Sequence, residues 1–160
     1  MSIICVKKTK KDINFTWDTQ TEHYDQAYHD KEKVKRFKNL VIGFVGSTGN
    51  RNRLYTFLSK KITGNTHFSK ISDVVSLIDD SKVNFSDSDN ILISDSKKIF
   101  NIHPQSVDCF EVEEFEAIGS GADYAIGAYY TGATVKKCVE VACEIDVHCG
   151  KPVKQLRIKL

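Results

Sequence analysis

The sequence predicts an α+β fold in which antiparallel sheets carry helices on their outer sides. Three observations lead there. Apolar and polar residues alternate at the amino end, and apolar residues recur every three or four positions in two later stretches. The elements also come in blocks: strands, two helices, strands, two helices, strand. Blocks of like elements favour antiparallel sheets over the strict alternation of a parallel fold.

Ile4 and Val6, then Ile13, Phe15 and Trp17, lie at period two on either side of the polar link Lys7 to Asp12, which predicts a β-hairpin. Trp17-Asp18-Thr19-Gln20-Thr21 ends its second strand, and a polar stretch runs on to Asp30. Lys31 to Phe37 alternates again. Leu40 to Val45 is continuously apolar and closed by Gly46, as in a strand buried on both faces.

Leu54, Leu58 and Ile62 define a helix that Ser47, Thr48 or Asn50 caps and Gly64-Asn65 ends. A short second helix is predicted from Ser69 to Asp79, followed by a polar loop from Ser81 to Asn90. Ile91 to Ile93 and Ile99 to Ile102 flank Asp95-Ser96-Lys97-Lys98, a hairpin pattern. Phe115 to Gly121 is a strand running into a serine between glycines, and Ala122 to Tyr130 a helix of small residues. Thr131 to Thr134 breaks that helix and starts another, which carries Val135, Cys138, Val139, Ala142 and Cys143 and ends at Asp146. Val153 to Ile158 closes the chain as a strand.

Composition narrows the function classes. With 160 residues, one domain is expected (1–160), and 41% hydrophobic with 28% charged residues excludes wholesale disorder. No run approaches the roughly 20 apolar residues of a membrane span, and Lys7 and Lys8 cut short any signal-peptide core. A cytoplasmic protein without a membrane partner is expected. A net charge of +2 gives no general case for nucleic acid, although Lys7 to Lys11 and Lys31 to Lys38 are locally basic. Five cysteines without CxxC spacing read as reduced thiols, and Cys143, His148 and Cys149 lack a fourth ligand for zinc. No metal or cofactor is expected.

Four segments, taken in order, resemble the proteasome β-subunit and bacterial HslV peptidase family of N-terminal-nucleophile (Ntn) hydrolases. Ala117-Ile118-Gly119-Ser120-Gly121-Ala122-Asp123-Tyr124-Ala125-Ile126-Gly127-Ala128 is similar to the family's glycine-serine-glycine turn into a helix of small residues. Ala142 to Val153, with Asp146 three residues before Cys149-Gly150, resembles the end of its fourth helix, where serine often stands in place of Cys149. Lys31 to Phe37 and Ile42 to Gly46 resemble its lysine strand and the strand that closes on the substrate loop. The resemblance spans nearly the whole chain, with a middle shorter than the family pattern. It implies a four-layer αββα sandwich.

The resemblance also implies a chemistry. Family members cleave peptide bonds with the hydroxyl of their first mature residue, using its free α-amino group as base. By motif, Asp18, Lys33, Ser120 and Asp146 take the supporting positions. Lys33 would lower the pKa of the amine, Asp18 would orient Lys33, and Ser120 and Asp146 would bond around the amine. Backbone N–H groups at Gly46 and Ser47 would form the oxyanion hole. Taken singly, these residues have plainer readings: Asp18 a turn cap, Lys33 a solvated side chain, Ser120 a helix cap, Asp146 a helix end.

The nucleophile has two registers. Aligning Ile4-Cys5-Val6 with the family's first strand puts Met1 at the threonine position. Removing Met1 exposes Ser2, which lies sixteen positions before Asp18, the family's own interval. The expectation is therefore a ring-forming homo-oligomer fed by an ATP-dependent unfoldase, cleaving peptides or unfolded proteins if Ser2 is exposed. The alternative is a non-catalytic family member that binds partners or builds the ring. Tyr124, Tyr129 and Tyr130 are the side chains expected at subunit contacts.

Overall fold

The structure is a computed structural model that describes all residues except Met1, Tyr24, Asp25, Asp30, Lys31 and Asn65, with backbone alone for residues 22, 23 and 26–29. Three expectations touch residues outside this set: Met1 at the nucleophile position, Lys31 at a strand start and Asn65 at a helix end.

The chain forms two compact units. One comprises Met1–Val34 with Glu114–Leu160, and the other Lys35–Glu113. In the first, β1 (Ile3–Lys8), β2 (Asp12–Trp17), β10 (Phe115–Gly119) and β11 (Lys154–Lys159) make an antiparallel sheet in the order β10-β1-β2-β11. Helices α3 (Ala122–Tyr130) and α4 (Val135–Ile145) pack on one face, where Ile3, Cys5, Ala125, Cys138, Val139 and Ala142 share a core. Ile4 and Val6, pointing the other way, are also fully buried. Alternation thus puts apolar residues on both sides of β1. Thr134 caps α4 by accepting the Lys137 N–H at 3.3 Å, as its place before an apolar-periodic run predicts.

A separate hairpin of β3 (Gln20–His23) and β4 (Gln26–His29) lies where only a polar stretch was predicted. Polar residues on both strands leave no alternation to read.

The second unit is a five-stranded sheet ordered β5-β6-β7-β8-β9: β5 (Val34–Phe37), β6 (Leu40–Val45), β7 (Asn90–Ser94), β8 (Ile99–His103) and β9 (Asp108–Glu111). Every residue of β6 is buried, as its unbroken apolar run requires. Helices α1 (Thr48–Lys61) and α2 (Ile71–Asp80) cover one face through Leu54, Leu58, Val74 and Ile78. Ser47 is the α1 cap, and the helix stops at Lys61, before the predicted Gly64-Asn65. The sequence missed β9, a four-residue edge strand with no residue fully buried. No helix among the described residues is long and apolar enough to cross a membrane.

Candidate active site

Asp18 follows β2 directly and is fully buried. Its Oδ1 accepts the Ile3 N–H at 2.9 Å, and its Oδ2 accepts the Gln20 N–H at 3.0 Å and the Gly150 N–H at 3.1 Å. In return, the Asp18 N–H donates to the Ile3 carbonyl at 3.2 Å. The carboxylate therefore ties the start of β1, the end of β2 and the segment after α4 to one point.

Lys33, just before β5, is only 2% exposed, so the reading as a solvated side chain fails. Its ammonium donates to Asp18 Oδ1 at 2.9 Å and to the Gln20 carbonyl. Two opposite charges buried this deeply cost several kcal/mol per ion in desolvation, which their attraction offsets only with good geometry and further hydrogen bonds. Asp18 has those bonds.

Ser2 is buried at 7% exposure, directly before the Ile3 amide that Asp18 holds. Its carbonyl accepts the Ser120 hydroxyl and the Gly121 N–H, each at 3.5 Å. Ser120 thus meets Ser2 at the carbonyl, whereas the resemblance implied the amine. Gly121 is required by close approach: an added Cβ would stand 2.9 Å from both Ala142 Cβ and Cys149 Sγ.

Asp146 caps the end of α4 and is connected to the same cluster. Its Oδ1 accepts the His148 N–H at 3.0 Å, and its Oδ2 accepts the Cys149 thiol at 3.2 Å. Burial opposes ionisation, but hydrogen bonds from Ser120, the His148 amide and Cys149 outweigh it and hold the carboxyl below its ordinary range. Burial, followed by the charge of Asp18 and the contact with Asp146, pushes the Cys149 thiol well up. Cys149 is a neutral donor at any physiological pH.

Gly46 and Ser47 belong to the second unit. Gly46 has φ +121°, and an added Cβ would collide with Asp89, so only glycine fits. The Ser47 N–H is donated to Asp89 Oδ1 at 2.7 Å. That commitment is a correction: Ser47 does not offer a spare donor for an oxyanion, and the expectation contracts to Gly46.

The first unit thus joins Ser2, Asp18, Lys33, Ser120 and Asp146 through a short series of hydrogen bonds. Sequence reasoning missed four partners in it: the Gln20 carbonyl and the amides of Ile3, Gln20 and Gly150. They are backbone atoms, which leave no mark on residue identity. It also missed Asp89, one acid in a polar loop.

No protein-family model and no curated protein matches the chain. Solved structures do. Thiobacillus denitrificans BPH in complex with epoxomicin is 18% identical, with a TM-score of 0.83 over 99% of this chain and 98% of that one. HslV from Trypanosoma brucei is 17% identical, with a TM-score of 0.75 over 99% of each chain. Anbu (ancestral beta-subunit) from Yersinia bercovieri is 14% identical, with a TM-score of 0.76 over 98% of this chain and 81% of that one. At such identities the likeness concerns the fold, and with its antiparallel sheets and four helices the chain has the α+β, proteasome-like fold of the Ntn hydrolases.

Proposed function

We propose that the chain is a subunit of a proteasome-like peptidase in which Ser2, freed by removal of Met1, is the nucleophile. One observation carries the reading: the buried Asp18–Lys33 pair, tied through Asp18 to the amide that follows Ser2. A buried ion pair is often replaceable by apolar residues at no loss of stability, so its retention calls for a use. The bond between Asp18 and Ile3 also favours Ser2 over Met1, because it sets the carboxylate against the residue after Ser2.

In the proposed reaction the Ser2 amine takes the Ser2 hydroxyl proton, and the oxygen attacks the peptide carbonyl. The tetrahedral oxyanion needs a backbone donor, the role that family order gives to the Gly46 N–H. Collapse returns the proton to the leaving amine and forms an ester at Ser2, which water hydrolyses. The positive charge of Lys33 keeps the amine unprotonated, and Asp18 fixes Lys33. Ser120 holds the Ser2 carbonyl, and Asp146 acts through Ser120 and Cys149. The subunit would assemble with copies of itself into a cytoplasmic ring fed by an ATP-driven unfoldase. Tyr130 (83% exposed) and Tyr124 (43%) are available for such contacts, whereas Tyr129 stacks on Phe115 at 3.9 Å within its own unit.

A specific observation favours the second reading, a non-catalytic ring or partner-binding protein: the engaged Ser47 N–H leaves a weakened oxyanion hole. Hydrolysis of a fluorogenic peptide by protein with a mass-verified amino terminus separates the two. Protein beginning at Ser2 should cleave and take up epoxomicin, while Ser2→Ala and protein retaining Met1 should do neither. Robust cleavage by the form that retains Met1 overturns the Ser2 mechanism. No cleavage from a verified Ser2 terminus, assembled and with its unfoldase, establishes the second reading.

A further inference from the structure

Gln20 opens β3, and three of its groups make hydrogen bonds within the first unit. Its N–H donates to Asp18 Oδ2 at 3.0 Å, and its carbonyl accepts the Lys33 ammonium. Its side chain reaches the segment after α4, where Nε2 donates to the Val147 carbonyl at 2.9 Å. That segment leaves room for it. An added Cβ at Gly150 would stand 2.9 Å from Gln20 Cβ and overlap the side-chain oxygen. Glycine is what lets the Gln20 side chain lie so close to the backbone there.

The segment that Gln20 holds carries the second limb of the proposed site. Asp146 begins it, and Cys149 donates its thiol to Asp146 while lying 4.0 Å from the Ser120 hydroxyl that meets the Ser2 carbonyl. Two further bonds tie the segment to the end of β2. The Gly150 N–H donates to Asp18 Oδ2 at 3.1 Å, and the Thr19 N–H donates to the Gly150 carbonyl at 3.1 Å. Both act at Gly150. The outer corner of the turn is Val147, which is 79% exposed, and among the described residues its one hydrogen-bond partner is Gln20. Without that amide the corner between Asp146 and Cys149 has no tie.

The other limb meets the same residue through its backbone. The Lys33 ammonium and the Ile3 N–H both donate to Asp18 Oδ1 at 2.9 Å, so the two nitrogens lie within about 6 Å of each other, one residue from the Ser2 amine. A charge at that range moves the titration of an amine, and a displaced charge moves it less.

We propose that Gln20 is a positioning residue for the proposed hydrolysis: anchored on Val147 over Gly150, its side chain holds the Asp146–Cys149 turn in place and sets its own carbonyl on Lys33. Its effect on turnover rests on the Ser2 reading; its effect on Lys33 and the turn does not.

The test compares Gln20→Met with Gln20→Ala in protein whose amino terminus is verified as Ser2. Methionine keeps the length of the side chain but cannot donate, and alanine loses both. Each variant should lower kcat about tenfold and leave KM unchanged, because Gln20 acts through Lys33 and Asp146 and not on the peptide. The Ser2 ¹³Cα and ¹³Cβ shifts follow the amine, whose charged surroundings include Lys33, Asp18 and Asp146. In both variants it should titrate about half a pH unit higher, since a loosened Lys33 opposes its protonation less. An unchanged kcat and an unchanged amine titration, with only a lower unfolding midpoint, overturn the proposal and leave Gln20 a structural residue. Absence of cleavage by the unaltered Ser2 form instead removes the nucleophile reading, and the amine titration alone then decides for or against Gln20. Should Gln20→Ala fail to fold, Gln20→Met decides by the same two measurements.

Discussion

The two units bury carboxylates in different ways. In the second unit, Asp95 (1% exposed) accepts the N–H groups of Phe68, Lys97 and Lys98, each at 2.9 Å. Asp89 (2% exposed) accepts those of Ser47 at 2.7 Å and Ser86 at 2.8 Å, with Asn50 Nδ2 at 2.8 Å. No lysine or arginine pairs with either among the described residues. Burial opposes ionisation of Asp95, yet the amides of Lys98, Phe68 and Lys97, with the His67 side chain 3.4 Å from Oδ2, hold its carboxyl below the ordinary range. In the first unit, Asp18 also accepts three backbone amides, and then takes a buried lysine as well. Asp89 is buried on neutral donors alone among the described residues, so a buried carboxylate does not by itself require a lysine. The added lysine is what supports the proposed site.

The largest expected effects test this difference. Asp18→Ala leaves the Lys33 ammonium buried without its counter-ion, and should cost about 3–5 kcal/mol. In a chain of this size that lowers the thermal midpoint by roughly 10 °C. Lys33→Met leaves Asp18 with its three amides, and should cost less, about 1–3 kcal/mol. Both should abolish peptide cleavage by the Ser2 form. A larger loss of stability in Lys33→Met than in Asp18→Ala, read by denaturant titration, would show that Lys33 is needed for the fold.

Asp95 supplies the counterpart. Asp95→Ala strands three amides and should cost about 1–3 kcal/mol while leaving kcat and KM unchanged, because its partners lie in the β7–β8 turn and the segment before α2 and include no residue of the proposed site. Its pH dependence has a definite sign. A carboxyl held below its ordinary pKa stabilises the fold fully above about pH 4 and progressively less as pH falls through its folded value. Asp146 is shifted the same way and should behave alike. Acidification should therefore lower the denaturant midpoint of the unaltered protein, and Asp95→Asn and Asp146→Asn should each flatten that fall. A variant profile parallel to the unaltered one would remove the residue from this account.

What could be read in the sequence follows the same division. Side chains with a period announced themselves: the first hairpin, the continuous apolar β6, and α3 at its observed bounds. Asp18, Lys33, Ser120 and Asp146 were legible only as a set in family order, since each alone has an ordinary structural reading. The β3–β4 hairpin and edge strand β9 have no apolar face to alternate. The deepest parts of the site were invisible because they are backbone: the Ile3, Gln20 and Gly150 amides around Asp18, and the Gln20 carbonyl on Lys33. Asp89 shows the converse error, a side chain taking an amide that family order had reserved for substrate.

Two glycines of α3 give the last contrast: Gly121, its N-cap, touches the proposed site, and Gly127, within the helix, does not. Gly121 lies against Ala142, Cys149 and Ile3, and its amide holds the Ser2 carbonyl. Gly121→Ala drives a methyl group into those contacts and should cost about 1–3 kcal/mol. It should also lower kcat, because the pressure falls on Ile3 and Cys149 beside Ser2. Gly127 lies within the helix with nothing within 4 Å of an added Cβ. Gly127→Ala should stabilise by about 0.5–1 kcal/mol, through helix propensity alone, and leave kcat untouched. If α3 instead seats a second subunit against its exposed side, the added methyl lies in that contact, and light scattering would show smaller assemblies at the same protein concentration. A gain in thermal stability with unchanged mass therefore assigns this side of α3 to solvent, and a loss of mass assigns it to a contact between subunits.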